Sequence, residues 1–458
     1  MKVVSDRERI DELFTRGVGE FIDPGGIFRK KLETNPEKVI IKFGVDPTRP
    51  DLHLGHAVVL RKLRQLQDLG AKVIFLIGDI TAQIGDPTGK NKIRPETNLE
   101  EIKKNMKTYL DQVDKILLKD SKVFSWTVNS DWLVSINDIV APDKQIININ
   151  IGNKIVATTP PLPGNHIINK AHHWEKTRMQ KNNINSYTLI NLLAILRKIT
   201  FSQLIEREMF QERIKENMPI FMNEMLYPVI QGIDSNAISN IYGSCDLEVG
   251  GTDQHFNMLV GRDVMEMNQK IPQAVLSFKL LEGTDGKEKM SKSLDNYIGI
   301  TDEPNDMYGK VMSIPDSSIG NYFELCTFTP TKEVEEVRKK LKDKSVNPKD
   351  MKMNLARQIV AIYHGEEKAQ KAEKNFINTF QKGEIPEEIM ELETKKGESL
   401  MNILVEVKIL SSKGDFRRLI EEKAITDLET NKKITDADFI PKSGMKFKIG
   451  KKRFIKIK

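Results

Sequence analysis

His53-Leu54-Gly55-His56 sets two imidazoles three residues apart, and Lys289-Met290-Ser291-Lys292-Ser293 sets two ammonium groups at the same spacing much further along the chain. Imidazoles that open a helix sit where unpaired backbone N–H groups and the positive end of the helix dipole already favour an anion. Two lysines on a polar loop add mobile point charges. Facing each other across a cleft, the two stretches make a binding site for a polyphosphate in transfer. Taken singly, each has a plainer reading: HxxH can be half of a zinc site, and a Lys/Ser pentapeptide can be a solvated loop. No cysteine or third histidine lies near His53 and His56 to complete a zinc shell.

The elements that must position these groups follow from the apolar pattern. Val39 to Phe43 is an apolar run that ends in a Gly/Asp/Pro turn, and His53-Leu-Gly-His56 then opens a helical stretch from about 56 to 69. Lys72–Ile77 and a helix over 98–118 continue the alternation, which predicts a doubly wound α/β sheet. Residues 1–34 read as helical, broken at Pro24-Gly25-Gly26. Helices resume near 187–217, α/β character returns over 226–260 and 274–281, and 304–382 is helical throughout. The lysine-bearing loop follows the run Ala274 to Leu281. Between Ser135 and Ser186 lies an Asn/Ile/Lys-rich insertion in which the run Ile146 to Ile151 and Lys154 to Thr158 predict a hairpin across Gly152-Asn153. His172-His173 within it reads as a surface or packing pair.

A chain of 458 residues exceeds one comfortable core. The expected division is a Rossmann-like catalytic domain over 1–303, a helical domain over 304–385, a linker at 386–396 and a small α+β domain over 397–458. No apolar run approaches membrane-spanning length and the N-terminus has no signal-type apolar core, so a cytoplasmic protein without membrane association is expected. Two lone thiols, Cys245 and Cys326, fit a reducing compartment and carry no zinc spacing. Residues 397–458 hold 15 Lys/Arg against 9 Asp/Glu, a balance of +6 that equals that of the whole chain. The body is therefore neutral and the tail basic, which points to a polyanion partner.

The two signatures resemble those of the class I aminoacyl-tRNA synthetases. Four further stretches narrow the resemblance to the tyrosyl members: Gly44-Val-Asp-Pro-Thr-Arg-Pro-Asp-Leu-His53, Ile77-Gly-Asp-Ile-Thr-Ala-Gln-Ile-Gly-Asp-Pro-Thr-Gly89, Tyr227-Pro-Val-Ile-Gln-Gly-Ile-Asp234 and Gly250-Gly-Thr-Asp-Gln254. The tail, with Ser411-Ser-Lys-Gly-Asp-Phe-Arg-Arg418 and Lys451-Lys-Arg453, resembles the S4-like RNA-binding module of bacterial tyrosyl enzymes.

The resemblance implies activation of L-tyrosine by ATP and transfer of the tyrosyl group to tRNA(Tyr). A carboxylate is already ionised at neutral pH, so such chemistry requires positioning and charge stabilisation rather than a general base. Tyr227, Gln231 and Asp234 fall on one helix face at i, i+4 and i+7. By family correspondence, Tyr227 and Asp86 hold the substrate ammonium with Gln231 beside them, Asp234 accepts from the phenol, and Gln254 lines the amino acid pocket. Asp46, Thr48, Gly55 and Gly250 shape the ATP side, with Asp253 on the ribose. Lys289, Met290, Ser291, Lys292 and Ser293 close over the phosphates, which Lys90 and Arg94 reach from a second loop. Arg417, Arg418, Lys451, Lys452 and Arg453 meet RNA phosphates. Mg²⁺ is expected only with the nucleotide, with no protein metal site, and a homodimer is expected from the family. Many family members carry a tyrosine at position 42. Here Lys42 stands there, and it is expected to point away from the pocket. Tryptophanyl-tRNA synthetase, which shares the fold, and a catalytically silent RNA-binding paralogue are the alternative readings. The Tyr-x3-Gln-x2-Asp spacing and the basic tail oppose the first, and the intact signatures oppose the second.

Overall fold

Strands buried on both faces lose the in-out alternation of a half-exposed sheet and become nearly continuous apolar runs, and two such runs form the centre of this chain. The computed structural model describes residues 7–87, 99–133, 150–151, 154–155, 189–381, 390–394 and 397–458, except for 408, 411, 431, 451 and 452. The strands are β1 (Val18–Ile22), β2 (Ile40–Val45), β3 (Lys72–Ile77), β4 (Phe124–Val128), β5 (Asn150–Ile151), β6 (Lys154–Ile155), β7 (Leu247–Gly251) and β8 (Ala274–Phe278). Six of them form one sheet in the order β1-β8-β7-β2-β3-β4. The five strands from β8 to β4 run parallel, and β1 joins the edge antiparallel to β8. The expected doubly wound parallel sheet is present.

The winding runs from β2 outward through β3 and β4, and from β7 outward through β8. It therefore reverses between β2 and β7, and a crevice opens beyond the carboxyl ends of these strands, where open α/β sheets bind ligands. Helix α1 (Leu54–Asp68) links β2 to β3, and α2 (Leu99–Val113) precedes β4. Helix α3 (Met222–Tyr242) leads into β7, and α4 (His255–Met267) links β7 to β8. Ile74 and Leu76 of β3, Val229, Ile233 and Ile241 of α3, and Val260 and Val264 of α4 share one apolar core with Trp132.

Two expectations are corrected here. Residues 1–34 are not helical throughout: Gly17 adopts a positive φ of 68° and ends the first helical segment, after which β1 adds to the sheet edge. Lys42 does not point away from the pocket. It lies across from Glu248 in the β2–β7 register and its side chain is 1% exposed. Its ammonium donates to Glu248 Oε1 at 2.9 Å, Ser235 Oγ at 2.8 Å and the Gln231 carbonyl at 2.7 Å. A cation in a two-sided strand has no solvent to reach, so it persists only with such a complete set of acceptors.

By contact the chain divides into two units, Met1–Glu303 with Lys310–Leu355, and Pro304–Gly309 with Ala356–Lys458. The helical character expected over 304–382 is found in Pro304–Met312, Ile319–Cys326, Thr331–Lys342, Pro348–His364 and Glu366–Phe376. The tail builds a second sheet from β9 (Met390–Leu392), β10 (Ile425–Asp427), β11 (Lys446–Ile449) and β12 (Arg453–Ile457), in the order β10-β11-β12-β9. Leu400, Leu404, Phe416, Phe447 and Ile455 fill its core. Strand β9 comes from within 386–396, the stretch read from sequence as a linker, and pairs parallel to β12. In the insertion, β5 and β6 pair antiparallel as the predicted hairpin requires, and the rest of 135–186 lies outside the described residues.

The buried pair generates a stability prediction. Lys42→Met leaves the Glu248 carboxylate unpaired between strands and should cost about 3–5 kcal/mol in urea unfolding, whereas Lys42→Met with Glu248→Gln should recover most of that loss.

Candidate active site

Strand β2 delivers Gly44, Val45 and Asp46 to the crevice, and the chain then turns back to start α1 at His53. His53 takes the extended cap conformation. Its backbone N–H donates to His56 Nδ1 at 3.3 Å, and the two rings lie 3.9 Å apart. A neutral His56 that accepts at Nδ1 carries its proton on Nε2, and Nε2–H is then a donor for an anion. Burial, then Lys292 and Lys289, pushes His56 down to about 3, and burial with His56, Lys292 and Lys289 pushes His53 well below the usual histidine range. Both rings are therefore neutral donors at physiological pH. His53 Nδ1 is buried without a partner among the described residues. A Cβ on Gly55 would lie 3.0 Å from the His53 ring, so glycine is what lets that ring fold over the first turn.

The opposite wall comes from α3. Tyr227, Gln231 and Asp234 line the cleft, as their spacing on one helix face predicts. Tyr227 donates to Asp46 Oδ2 at 2.8 Å, and Asp46 also accepts from Thr81 Oγ1 at 2.7 Å. Gln231 Nε2 donates to Glu248 Oε1 at 3.0 Å, which leaves its carbonyl oxygen as the group it can offer a ligand. Glu248 further accepts from Ser235 Oγ and Gln273 Nε2, each at 2.9 Å. Asp234 accepts from Trp132 Nε1 at 2.8 Å and Asn129 Nδ2 at 3.4 Å, and burial pushes its carboxyl up to about 7 against the opposing pull of Lys42. Gln254 Nε2 donates to Asp86 Oδ2 at 2.5 Å, joining the Ile77–Gly89 and Gly250–Gln254 stretches.

The lysine stretch belongs to a hairpin whose arms are held by Met290 N–H donating to the Leu281 carbonyl at 2.7 Å and Gly283 N–H donating to the Glu288 carbonyl at 2.8 Å. Lys289 pairs with Asp253 at 2.6 Å. Lys292 donates to the Tyr109 hydroxyl at 3.2 Å and the Arg49 carbonyl at 3.3 Å, and burial lowers it to about 8. Beyond the hairpin the chain pairs with the entry to α1: Leu54 N–H donates to the Ile298 carbonyl and Ile300 N–H to the Leu52 carbonyl, both at 3.0 Å. The two signatures thus share a backbone ladder at one end of a cleft of about 600 Å³, within the size range of small-molecule sites.

Of the residues singled out from sequence, His53, His56, Gly55, Asp46, Thr48, Asp86, Tyr227, Gln231, Asp234, Gly250, Asp253, Gln254, Lys289, Met290, Ser291 and Lys292 line this one cleft. Ser293 follows Lys292 in a short 3-10 turn, its side chain outside the described residues, as are Lys90 and Arg94. In the tail, Arg417, Arg418 and Arg453 are exposed, and Lys451 and Lys452 lie outside the described residues. Sequence reasoning missed Tyr109, Asn129, Trp132 and Glu248. Only Glu248 left a signal, an acidic residue inside an apolar strand opposite a basic one in another.

The pattern of the tRNA synthetases class I (W and Y) matches residues 34–381. The chain is 40% identical to the tyrosine–tRNA ligase of Thermotoga maritima over 92% of this chain and 90% of that protein. It is 39% identical to tyrosine–tRNA ligase 2 of Clostridium acetobutylicum over 98% and 99%. Among solved structures it resembles the C-terminally truncated mitochondrial tyrosyl-tRNA synthetase of Aspergillus nidulans, with a TM-score of 0.55 and 20% identity over 83% of this chain and 95% of that one. It also resembles the tyrosyl-tRNA synthetase of Archaeoglobus fulgidus complexed with L-tyrosine, with a TM-score of 0.53 and 20% identity over 80% and 99%.

The electrostatics of the cleft set a pH dependence. Because burial lowers Lys292 to about 8, kcat/KM for ATP should fall as pH rises through about 8. Lys292→Arg, charged throughout, should move that falling limb by more than about two pH units.

Proposed function

We propose that this chain, which belongs to the class I tRNA synthetases of the W and Y type, acts as a tyrosine–tRNA ligase through the residues of this cleft. It joins L-tyrosine to ATP, releasing pyrophosphate, and passes the tyrosyl group from the adenylate to the 3′-terminal adenosine of tRNA(Tyr). The observation that carries the site assignment is that one crevice brings together the His53–His56 turn, the Lys289–Lys292 hairpin and the Tyr227/Gln231/Asp234 face of α3.

The amino acid lies along α3. Its ammonium meets Asp86, Tyr227 and the carbonyl of Gln231, and its phenol meets Asp234, whose other contacts with Trp132 and Asn129 fix the carboxyl in place. Its carboxylate attacks the α-phosphate as the ion it already is, so no residue is needed to remove a proton. His56 Nε2–H and His53 hydrogen-bond the phosphate oxygens as charge redistributes, and the two lysines neutralise the departing pyrophosphate. Nucleotide binding draws Lys289 from Asp253 to a phosphate and releases Asp253 to the ribose. Mg²⁺ enters with the nucleotide. Among the described residues no group of three or more His, Cys, Asp or Glu side chains is placed to hold a metal.

The basic tail grips the tRNA. Arg417 and Arg418 on the helix Lys413–Glu421 and Arg453 at the start of β12 present exposed cations on one small fold, and Lys451 and Lys452 add charge in sequence. The helices between Pro304 and Phe376 serve the anticodon side of the tRNA. A second copy of the chain completes a homodimer, and the site of action is the cytoplasm, where tRNA is charged. No helix among the described residues is long and apolar enough to cross a membrane.

Two measurements test this reading. ATP–pyrophosphate exchange with each amino acid should be supported by tyrosine alone. Asp234→Ala should lower the preference for tyrosine over phenylalanine by about 10- to 100-fold, the worth of one buried hydrogen-bonding group left unsatisfied. A variant with unchanged selectivity would remove Asp234 as the phenol partner. In the full-length chain, Arg417→Gln with Arg418→Gln should leave exchange intact, weaken tRNA binding and flatten its salt dependence by a log–log slope of about 1–2. Charging that is indifferent to both changes would reassign the tail.

A further inference from the structure

The hairpin that carries Lys289 and Lys292 has its base and its tip secured by different means. At the base, Glu282 accepts from Ser318 Oγ at 2.6 Å, and the Tyr322 hydroxyl donates to the Glu282 carbonyl at 2.8 Å. Nearer the tip one side chain does the work. Asn296 is 4% exposed and sits between the arms. Its Oδ1 accepts from Ser291 N–H at 2.8 Å. Its Nδ2 donates to Asp285 Oδ2 at 2.8 Å and to the Lys289 carbonyl at 3.2 Å. Its own carbonyl accepts from Thr284 N–H at 2.9 Å. Through its side-chain amide and its own carbonyl, one residue therefore ties the outgoing arm at 284–285 to the returning arm at 289–291, which carries Lys289 and runs directly into Lys292.

The slot for this side chain exists because residue 283 is glycine. A Cβ on Gly283 would lie 2.2 Å from Asn296 Nδ2, 2.3 Å from its Cγ and 2.7 Å from its backbone oxygen. The last is main chain and cannot swing aside, so any larger residue must expel the amide or spread the arms.

We propose that Asn296 is a positioning residue for adenylate formation: it holds the loop so that Lys289 and Lys292 are aimed together at the polyphosphate. The inference rests on the ATP-dependent activation assigned above. Asn296 touches neither substrate in this reading and acts through the lysines alone. Misaiming a loop by about 1 Å is enough to cost on the order of 10²-fold in rate, while the amino acid wall on α3 is built without it.

The test uses full-length Asn296→Ala, Asn296→Asp and Gly283→Ala, with active sites counted so that any misfolded fraction is removed from the comparison. Equilibrium dialysis gives the tyrosine Kd and rapid mixing gives the adenylation rate against ATP concentration. All three variants should keep the tyrosine Kd within about twofold and lose about 10- to 100-fold in the ATP-dependent rate. Asn296→Asp should be no better than alanine, because its carboxylate faces Asp285 and the Lys289 carbonyl. Gly283→Ala should show the same split although it removes no hydrogen-bonding group. Normal rates in Asn296→Ala and Gly283→Ala, or a parallel loss of tyrosine affinity, would overturn the proposal. A wild-type chain that fails to activate tyrosine would instead overturn the functional assignment on which it rests.

Discussion

The reversal of winding between β2 and β7 is the constraint on which the rest of the structure depends. Crossovers that leave in opposite directions from two adjacent parallel strands cannot cover the gap above them, so the carboxyl ends of those strands stay open to a ligand. The described residues assigned to the site line that opening, among them Asp46 beyond β2, Gly250 and Asp253 at and just after β7, and the start of α1 where β2 has ended. Beneath it, Lys42 and Glu248 join the two strands through side chains as well as backbone. Ser235, Gln231 and Gln273 complete the shell of Glu248, so no charge in this layer is left without a partner. The floor of the cleft is thus polar and yet rigid.

That floor also fixes how the polar groups of the cleft are presented. An amide can present either its oxygen or its nitrogen, and the Glu248 carboxylate settles the choice for Gln231 by taking the N–H. Asp234 is held from behind by Trp132 and Asn129 in a pocket that burial has made hostile to charge. Fixed hydrogen-bonding groups in a dry site discriminate well because a wrong ligand leaves them unsatisfied.

At the end of the cleft that holds His53, His56, Lys289 and Lys292, the electrostatics separate neutral donors from charged ones. Four cations around one small volume would repel one another and open the cleft. Burial keeps both imidazoles neutral, so they contribute directed N–H groups while Lys289 and Lys292 contribute charge. The lysines sit on a hairpin, where they rest on Asp253, Tyr109 and the Arg49 carbonyl rather than in solvent. Protein contacts thereby offset the desolvation of both ammonium groups, and the ladder from Leu52–Leu54 to Ile298–Ile300 keeps donors and cations in one frame.

Much of this could be read from residue order alone, because local periodicity and motif spacing are written in the chain. The apolar runs at 39–43 and 72–77 specify two-sided strands, and the i, i+4, i+7 spacing of Tyr227, Gln231 and Asp234 specifies a shared helix face. The charge asymmetry specifies a basic tail. Sequence failed where a residue's role depends on a neighbour distant in the chain. Val18–Ile22 is a strand only because β8 offers an edge, and Met390–Leu392 only because β12 does. Tyr109, Trp132 and Asn296 carry no motif of their own and gain their roles from what folding places beside them. Lys42 shows the distinction most clearly. As a lysine in a strand it reads as a side chain that must escape to water, and only the register of β7 sets Glu248 across from it. Residue types and spacing determined which chemistry the chain can perform. The tertiary structure decided which charges are paired, buried or free to move, because desolvation and Coulomb attraction act through distances that sequence does not contain.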